Sequence, residues 1–181
     1  MNLKTDSPPS GSQLEPGGGE GLRGELAFAP AETLDQAEMA EIYLLREAIE
    51  PKLVAEATRR MGAGKIAAAH SINEESEACQ ELEDPEGYLR ADSRFHEVIF
   101  EASGLRRAHA LVRGVWSTAE PYRQAYATLP NKLDISVVEH RMILDAVERG
   151  ACEDAGELHR IHIRHTRLGL GERPEAFARP T

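Results

Sequence analysis

From Leu34 onward, apolar residues recur at three- and four-residue spacings, and no stretch shows the strict alternation of a half-buried strand. The pattern predicts six helices. The first covers about 34–60, with Pro51 expected to bend it. Gly62 and Gly64 punctuate, and a second helix follows over about 65–82. Asp84-Pro85, an N-cap residue followed by proline at the first helical position, opens a third. It runs to about Ser103, where Gly104 supplies the stop. A fourth helix covers about 105–127, with Pro121 as a kink, and Pro130-Asn131 marks a loop. Asp134 starts a fifth helix that ends before Gly150, and a sixth covers about 153–168, closed by Gly169, Gly171 and Pro174. Six helices with short connections predict an all-α fold, an antiparallel bundle.

Three of these stripes are interrupted by ionisable residues. The third helix reads Leu89, Asp92, His96, Ile99; the fifth reads Leu133, Val137, His140, Leu144, Val147; the sixth reads Ala155, Leu158, His162, His165. Burying one unsatisfied polar group costs roughly 1–3 kcal/mol, so three independent interruptions would be a poor arrangement. The cost disappears if the groups converge on a shared cation. Asp92 and His96, one turn apart, project from one helix face. With His140 and His162 they form a three-histidine, one-carboxylate set suited to zinc, nickel, cobalt or manganese. His159 and His165 flank His162 at three-residue spacing, and periodicity does not choose among them. Taken singly, each histidine has the plainer reading of a satisfied core residue. His70 and His109 belong to no such set and are expected at the surface.

The first helix carries a fourth interruption, Arg46 within Met39, Ile42, Ile49 and Leu53, with Glu50 one turn later. Two readings stand: an Arg46–Glu50 ion pair at a helix interface, or a guanidinium hook for a carboxylate.

Residues 1–33 differ from the rest, with six of the fifteen glycines, four of the ten prolines and a net charge of −3. Such a segment buries too little apolar area to offset its ordering entropy, and a flexible tail is expected. The whole chain of 181 residues carries 21 Lys and Arg against 31 Asp and Glu. That balance disfavours a standalone nucleic-acid binder and an anionic membrane surface. There is no long apolar run and no signal-peptide core. Cys79 and Cys152 match no ligand or redox spacing, so a soluble, cytoplasmic chain without a disulfide framework is expected.

Several runs resemble one family. Leu45-Arg46 with Glu50-Pro51 is similar to the opening of the FadR C-terminal domain, the FCD domain, which is the effector-binding helical module of many GntR-superfamily transcription regulators. Asp92-Ser93-Arg94-Phe95-His96, continuing to Glu101-Ala102-Ser103-Gly104, resembles its second box. Trp116 and Tyr122-Arg123 fall where the family often has a Trp and then a Tyr-Arg or Arg pair, and Glu139-His140-Arg141 through Asp145-Ala146 resembles its third box. His162 follows His140 by 22 residues, the family's separation for the last metal ligand. The resemblance covers about 34–170, leaving 171–181 as a C-terminal tail. It implies Asp92, His96, His140 and His162 as metal ligands, with His162 favoured over its neighbours and zinc first among the candidate ions. It also implies that Arg46 and Arg123 line a cavity for a small organic acid.

Two departures stand out. Leu105 replaces the family's Asn after Gly104, and the 33 residues before the first helix leave no room for a basic winged helix-turn-helix. The expectation is therefore a metal-dependent, small-carboxylate sensor and dimerisation domain, forming a homodimer and not an enzyme. DNA would be reached only through a winged-helix domain absent from this chain. The alternatives are a metalloenzyme built on the three-His, one-Asp set and a metal-free helical interaction module.

Overall fold

The computed structural model describes residues 35–173 and Phe177. Six helices follow one another: α1 (Gln36–Thr58), α2 (Ala63–Glu81), α3 (Pro85–Ala102), α4 (Arg106–Ala127), α5 (Lys132–Glu148) and α6 (Cys152–Gly171). Among the described residues there is no strand, and no helix is long and apolar enough to cross a membrane. The expected tail over 1–33 lies outside the described residues, as does most of 171–181. Both cysteines are free.

The starts of α1 and α3 are written in their caps. The Asp35 carboxylate accepts from the Glu38 amide at 2.8 Å, and the Asp84 carboxylate accepts from the Gly87 amide at 2.9 Å. Pro85 occupies the first turn of α3, where its missing N–H costs nothing. Gly104 and Gly150 sit after α3 and α5 at φ +67°, the left-handed backbone that glycine adopts without strain.

Two expectations at helix ends are corrected. α5 begins at Lys132, two residues before Asp134, because Asn131 takes the left-handed conformation at φ 59° and turns the chain directly into the helix. α6 runs through Gly169 to Gly171. Gly169 is buried inside the helix, where a Cβ would stand 3.0 Å from the Tyr126 ring and 3.1 Å from the Lys132 side chain. Its lack of a side chain permits a close contact and does not end the helix. α1 and α4 likewise continue through Pro51 and Pro121.

α1 packs chiefly on α6, α2 on α3, and α5 on α6. Gly156 of α6 faces the Pro51 carbonyl of α1 so closely that a Cβ there would stand 2.8 Å from it. The apolar core falls into two clusters. One gathers Leu53, Val54, Phe95, Ile99 and Leu144; the other gathers Tyr43, Val115, Tyr122, Ile163 and Leu170. Between them lies a polar layer: Arg46 and Glu50 fall between Tyr43 and Leu53 on α1, and His159 and His162 fall between Ala155 and Leu170 on α6. All four of these polar residues are buried.

Candidate metal centre

The interruptions of the apolar stripes meet in this polar layer. α3 presents Asp92 and His96 from one face, α5 presents His140, and α6 presents His162; one ligand-type atom from each lies within 4.8 Å of all the others, and all four residues are buried. Asp92 Oδ1 stands 3.5 Å from His96 Nε2 and 3.4 Å from His140 Nε2. Neither nitrogen of His96 or His140 has a hydrogen-bond partner. Four buried ring nitrogens without partners are costly as hydrogen-bonding groups, and the two Nε2 atoms that face one carboxylate are well suited as ligands. The two separations are close to the roughly 3.3 Å edge of a tetrahedron whose ligands lie about 2 Å from its centre.

The electrostatics favour the ligating form of each group. Burial pushes His96 down to about 3, with His159 and His162 adding to the effect and Asp92 opposing it. Burial likewise holds His140 well below the ordinary imidazole range, reinforced by His162 and His96. The rings are thus neutral, with a lone pair each. Burial would raise Asp92, but the polar imidazole of His96 and the Arg123 guanidinium bonded to its outer oxygen hold the carboxyl well below the ordinary range, and it stays ionised.

A second tier of side chains orients these groups. Glu139 Oε2 lies 2.7 Å from His162 Nδ1, which leaves Nε2 for the cluster, and its other oxygen meets His165. Arg123 donates from Nη2 to Asp92 Oδ2 at 2.7 Å and to Ser93 Oγ at 2.9 Å, and its Nη1 meets Glu120. Arg46 donates from Nε to Glu50 Oε1 at 2.7 Å. Glu50, wholly buried, also accepts from Trp116 Nε1 at 2.7 Å and pairs with His159 Nε2 at 2.9 Å. Arg46 and Arg123 both lie over the Trp116 ring, at 4.7 and 4.4 Å from its centre.

Both expected acid-binding arginines therefore reach the centre, each already engaged by a carboxylate. Of the two readings of Arg46, the ion pair with Glu50 is present. A cavity of about 30 Å³ lies beside the cluster, bordered by Arg46, Asp92, Arg123 and His162. It has room for one or two waters.

The sixth-helix stripe needs correction. His165 is half exposed and Leu158 only half-buried, whereas His159 is wholly buried in their place. The helix is rotated so that His159, His162, Ile163 and Thr166 face inward, which three-residue spacing alone does not distinguish. His70 lies at the surface as expected, partly exposed against Glu148; His109 is more buried and meets Glu97 at 2.9 Å. Sequence reasoning also passed over Glu139 and Trp116 as partners. The only local signals were Glu139 preceding His140 and Glu50 standing one turn from Arg46.

Residues 41–165 match the profile of the FCD domain family. The fold is similar to that of E. coli McbR/YncC, with a TM-score of 0.71 and 18% identity over 77% of this chain and 70% of that one. It is also similar to Streptococcus agalactiae GntR, with a TM-score of 0.62 and 18% identity over 74% of this chain and 60% of that one. At such identities these likenesses speak for the fold alone. No curated protein sequence matches the chain.

Proposed function

Because the chain belongs to the FCD domain family, the helical regulatory module of GntR-type regulators, we propose that it is a sensor that binds one divalent transition metal and, beside it, a small organic acid. The ligands in this reading are Asp92, His96, His140 and His162, with zinc first and nickel, manganese or cobalt also suited. The observation that carries it is the pair of buried, unpartnered Nε2 atoms of His96 and His140 facing the Asp92 carboxylate. A bound ion would supply a Lewis-acid centre able to take a carboxylate as a further ligand.

The protein's own groups supply the rest. Arg123 neutralises the outer oxygen of Asp92, and Glu139 fixes the tautomer of His162. Arg46 and Arg123 border the small cavity and would meet the acid's charge. Since that cavity has room for only one or two waters, an organic acid fits there by drawing Arg46 or Arg123 from its present carboxylate. Binding thereby engages α1 and α4 and biases the packing of the bundle. In this reading the domain works as a cytoplasmic homodimer, and DNA is contacted through a winged helix outside residues 41–165.

The test is elemental analysis of untagged chain purified without chelator, followed by calorimetric titration with acetate, lactate and citrate before and after metal removal. About one divalent ion per chain and metal-dependent heat from at least one acid are expected. Less than a tenth of an ion per chain, with no uptake on titration, overturns the metal reading. A loaded protein that responds to no acid overturns the sensor reading.

A further inference from the structure

His159 stands among the metal-set residues without being one of them, and its surroundings define a role. It is wholly buried, its ring centre is 5.0 Å from that of His96, and its Nε2 is 2.9 Å from Glu50 Oε2. Its Nδ1 is buried without a partner. Glu50 also receives N–H groups from Arg46 and Trp116, so it acts as an acceptor throughout. His159 must then carry its proton on Nε2, which leaves Nδ1 as a lone-pair acceptor.

His96 has the complementary need. Its Nε2 is the nitrogen nearest Asp92, so in a loaded centre the ring proton sits on Nδ1, which is also buried and unpartnered. Histidine ligands ordinarily donate that second N–H to an acceptor that sets their orientation. His162 has Glu139 for this purpose, and His140 is held by stacking on Phe95 at 4.3 Å. His96 has no carboxylate or carbonyl partner. An N–H···N bond between two imidazoles places their centres roughly 5 Å apart when both nitrogens lie on the line of centres; the two rings have that separation, and a turn of the rings brings their two unbonded Nδ1 atoms together.

We propose that His159 is the positioning residue for His96: its Nδ1 accepts the His96 Nδ1–H in the loaded centre and ties the metal site through Glu50 to Arg46 and Trp116. The proposal rests on the metal reading above. It gives the Arg46–Glu50 pair a purpose, since the pair holds His159 in the tautomer that can accept.

Metal affinity is measured by competition against a chromogenic chelator with zinc, and by the visible spectrum of the cobalt form, for wild type, H159F and H159Q. Melts of the metal-free proteins run alongside. H159F is expected to bind zinc about 10- to 100-fold more weakly and to alter the cobalt spectrum. H159Q, whose amide can donate to Glu50 and accept from His96, is expected to recover most of the affinity. A long-range nitrogen–proton spectrum of the zinc-loaded wild type should show His159 protonated on Nε2 and His96 on Nδ1. If wild type binds metal and H159F binds it equally well, whatever its melting temperature, the proposal falls and the metal reading stands. It also falls if His159 carries its proton on Nδ1. Should H159F fail to fold, the tautomers of the wild type decide. A wild type that takes up no metal removes both readings together.

Discussion

Glu139 holds His162 from the side facing away from the cluster: its Oε2 is 2.7 Å from Nδ1, and the next residue in sequence, His140, is itself one of the four converging groups. One turn of α5 thus supplies one candidate ligand and the orienting partner of another. Burial would raise the Glu139 carboxyl, but His162 and His165 hold it below the ordinary range, so it stays an acceptor. Glu139→Gln is expected to weaken zinc binding by about tenfold or more in a chelator competition. His165→Ala should change it little, because His165 is half exposed and touches only the other Glu139 oxygen.

Metal removal should show directly in stability. A ligand that binds only the folded state adds about 2.7 kcal/mol at a hundred times its Kd. For a domain of this size that corresponds to a melting shift of roughly 10 °C. Scanning calorimetry of loaded and chelator-stripped protein is the measurement, and coincident melts would count against Asp92, His96, His140 and His162 as ligands.

How far this centre can be read from sequence follows from helix geometry. Asp92 and His96 share a face by their spacing alone, and Asp84-Pro85 announces the start of α3, so that pair and its helix are legible. His140 is legible as a break in an otherwise apolar stripe. On α6, His159, His162 and His165 are spaced by three, and a rotation of a few tens of degrees decides which are buried. That rotation is set by tertiary contacts, including the Gly156–Pro51 approach, which no local pattern encodes. Gly169 shows the same limit: a glycine near a helix end reads as a stop, whereas here Tyr126 and Lys132 occupy the space a side chain would need.

That approach makes Gly156 a sensitive position. A Cβ there would sit 2.8 Å from the Pro51 carbonyl and 3.4 Å from the Ala55 side chain, so α1 and α6 must move apart. Gly156→Ala normally gains from helix propensity, yet here a loss of about 1–3 kcal/mol is expected from overpacking. Urea unfolding of the metal-free chain measures it. A gain in stability would mean that the helices yield freely and that the close crossing does not hold Glu50 against His159.

Glu50 sets the response to acid. Burial would raise its carboxyl, but Arg46 and His159 hold it well below the usual carboxylate range. A carboxyl depressed in the folded state stabilises fully above its unfolded pKa, and that stability is lost as pH falls through and below about 4.5. Glu50→Gln leaves the buried Arg46 charge uncompensated and is expected to cost about 3–5 kcal/mol near neutral pH. The variant should also lose stability less steeply than wild type between about pH 5 and 3. Denaturant midpoints across that interval test both statements, and parallel curves would sink the second.

Trp116 offers the most economical reading of ligand binding, because it is the chain's single tryptophan and stands against Glu50, both arginines and His96. Its indole donates to Glu50, its ring lies under both guanidinium groups, and it stands 5.2 Å from the His96 ring. An acid that draws Arg46 or Arg123 toward the cavity must change the charge above that ring. The emission of loaded protein should therefore shift in maximum or intensity as a binding acid is added, and the shift should vanish after metal removal. Arg123→Lys keeps a positive charge near Asp92 but lacks the planar guanidinium that lies over Trp116 while Nη2 bonds Asp92 and Ser93 and Nη1 meets Glu120. This variant is expected to weaken acid binding by about tenfold while leaving zinc affinity within about threefold of wild type. An unchanged acid affinity would remove Arg123 from the acid site and leave Arg46 as the guanidinium that meets the ligand.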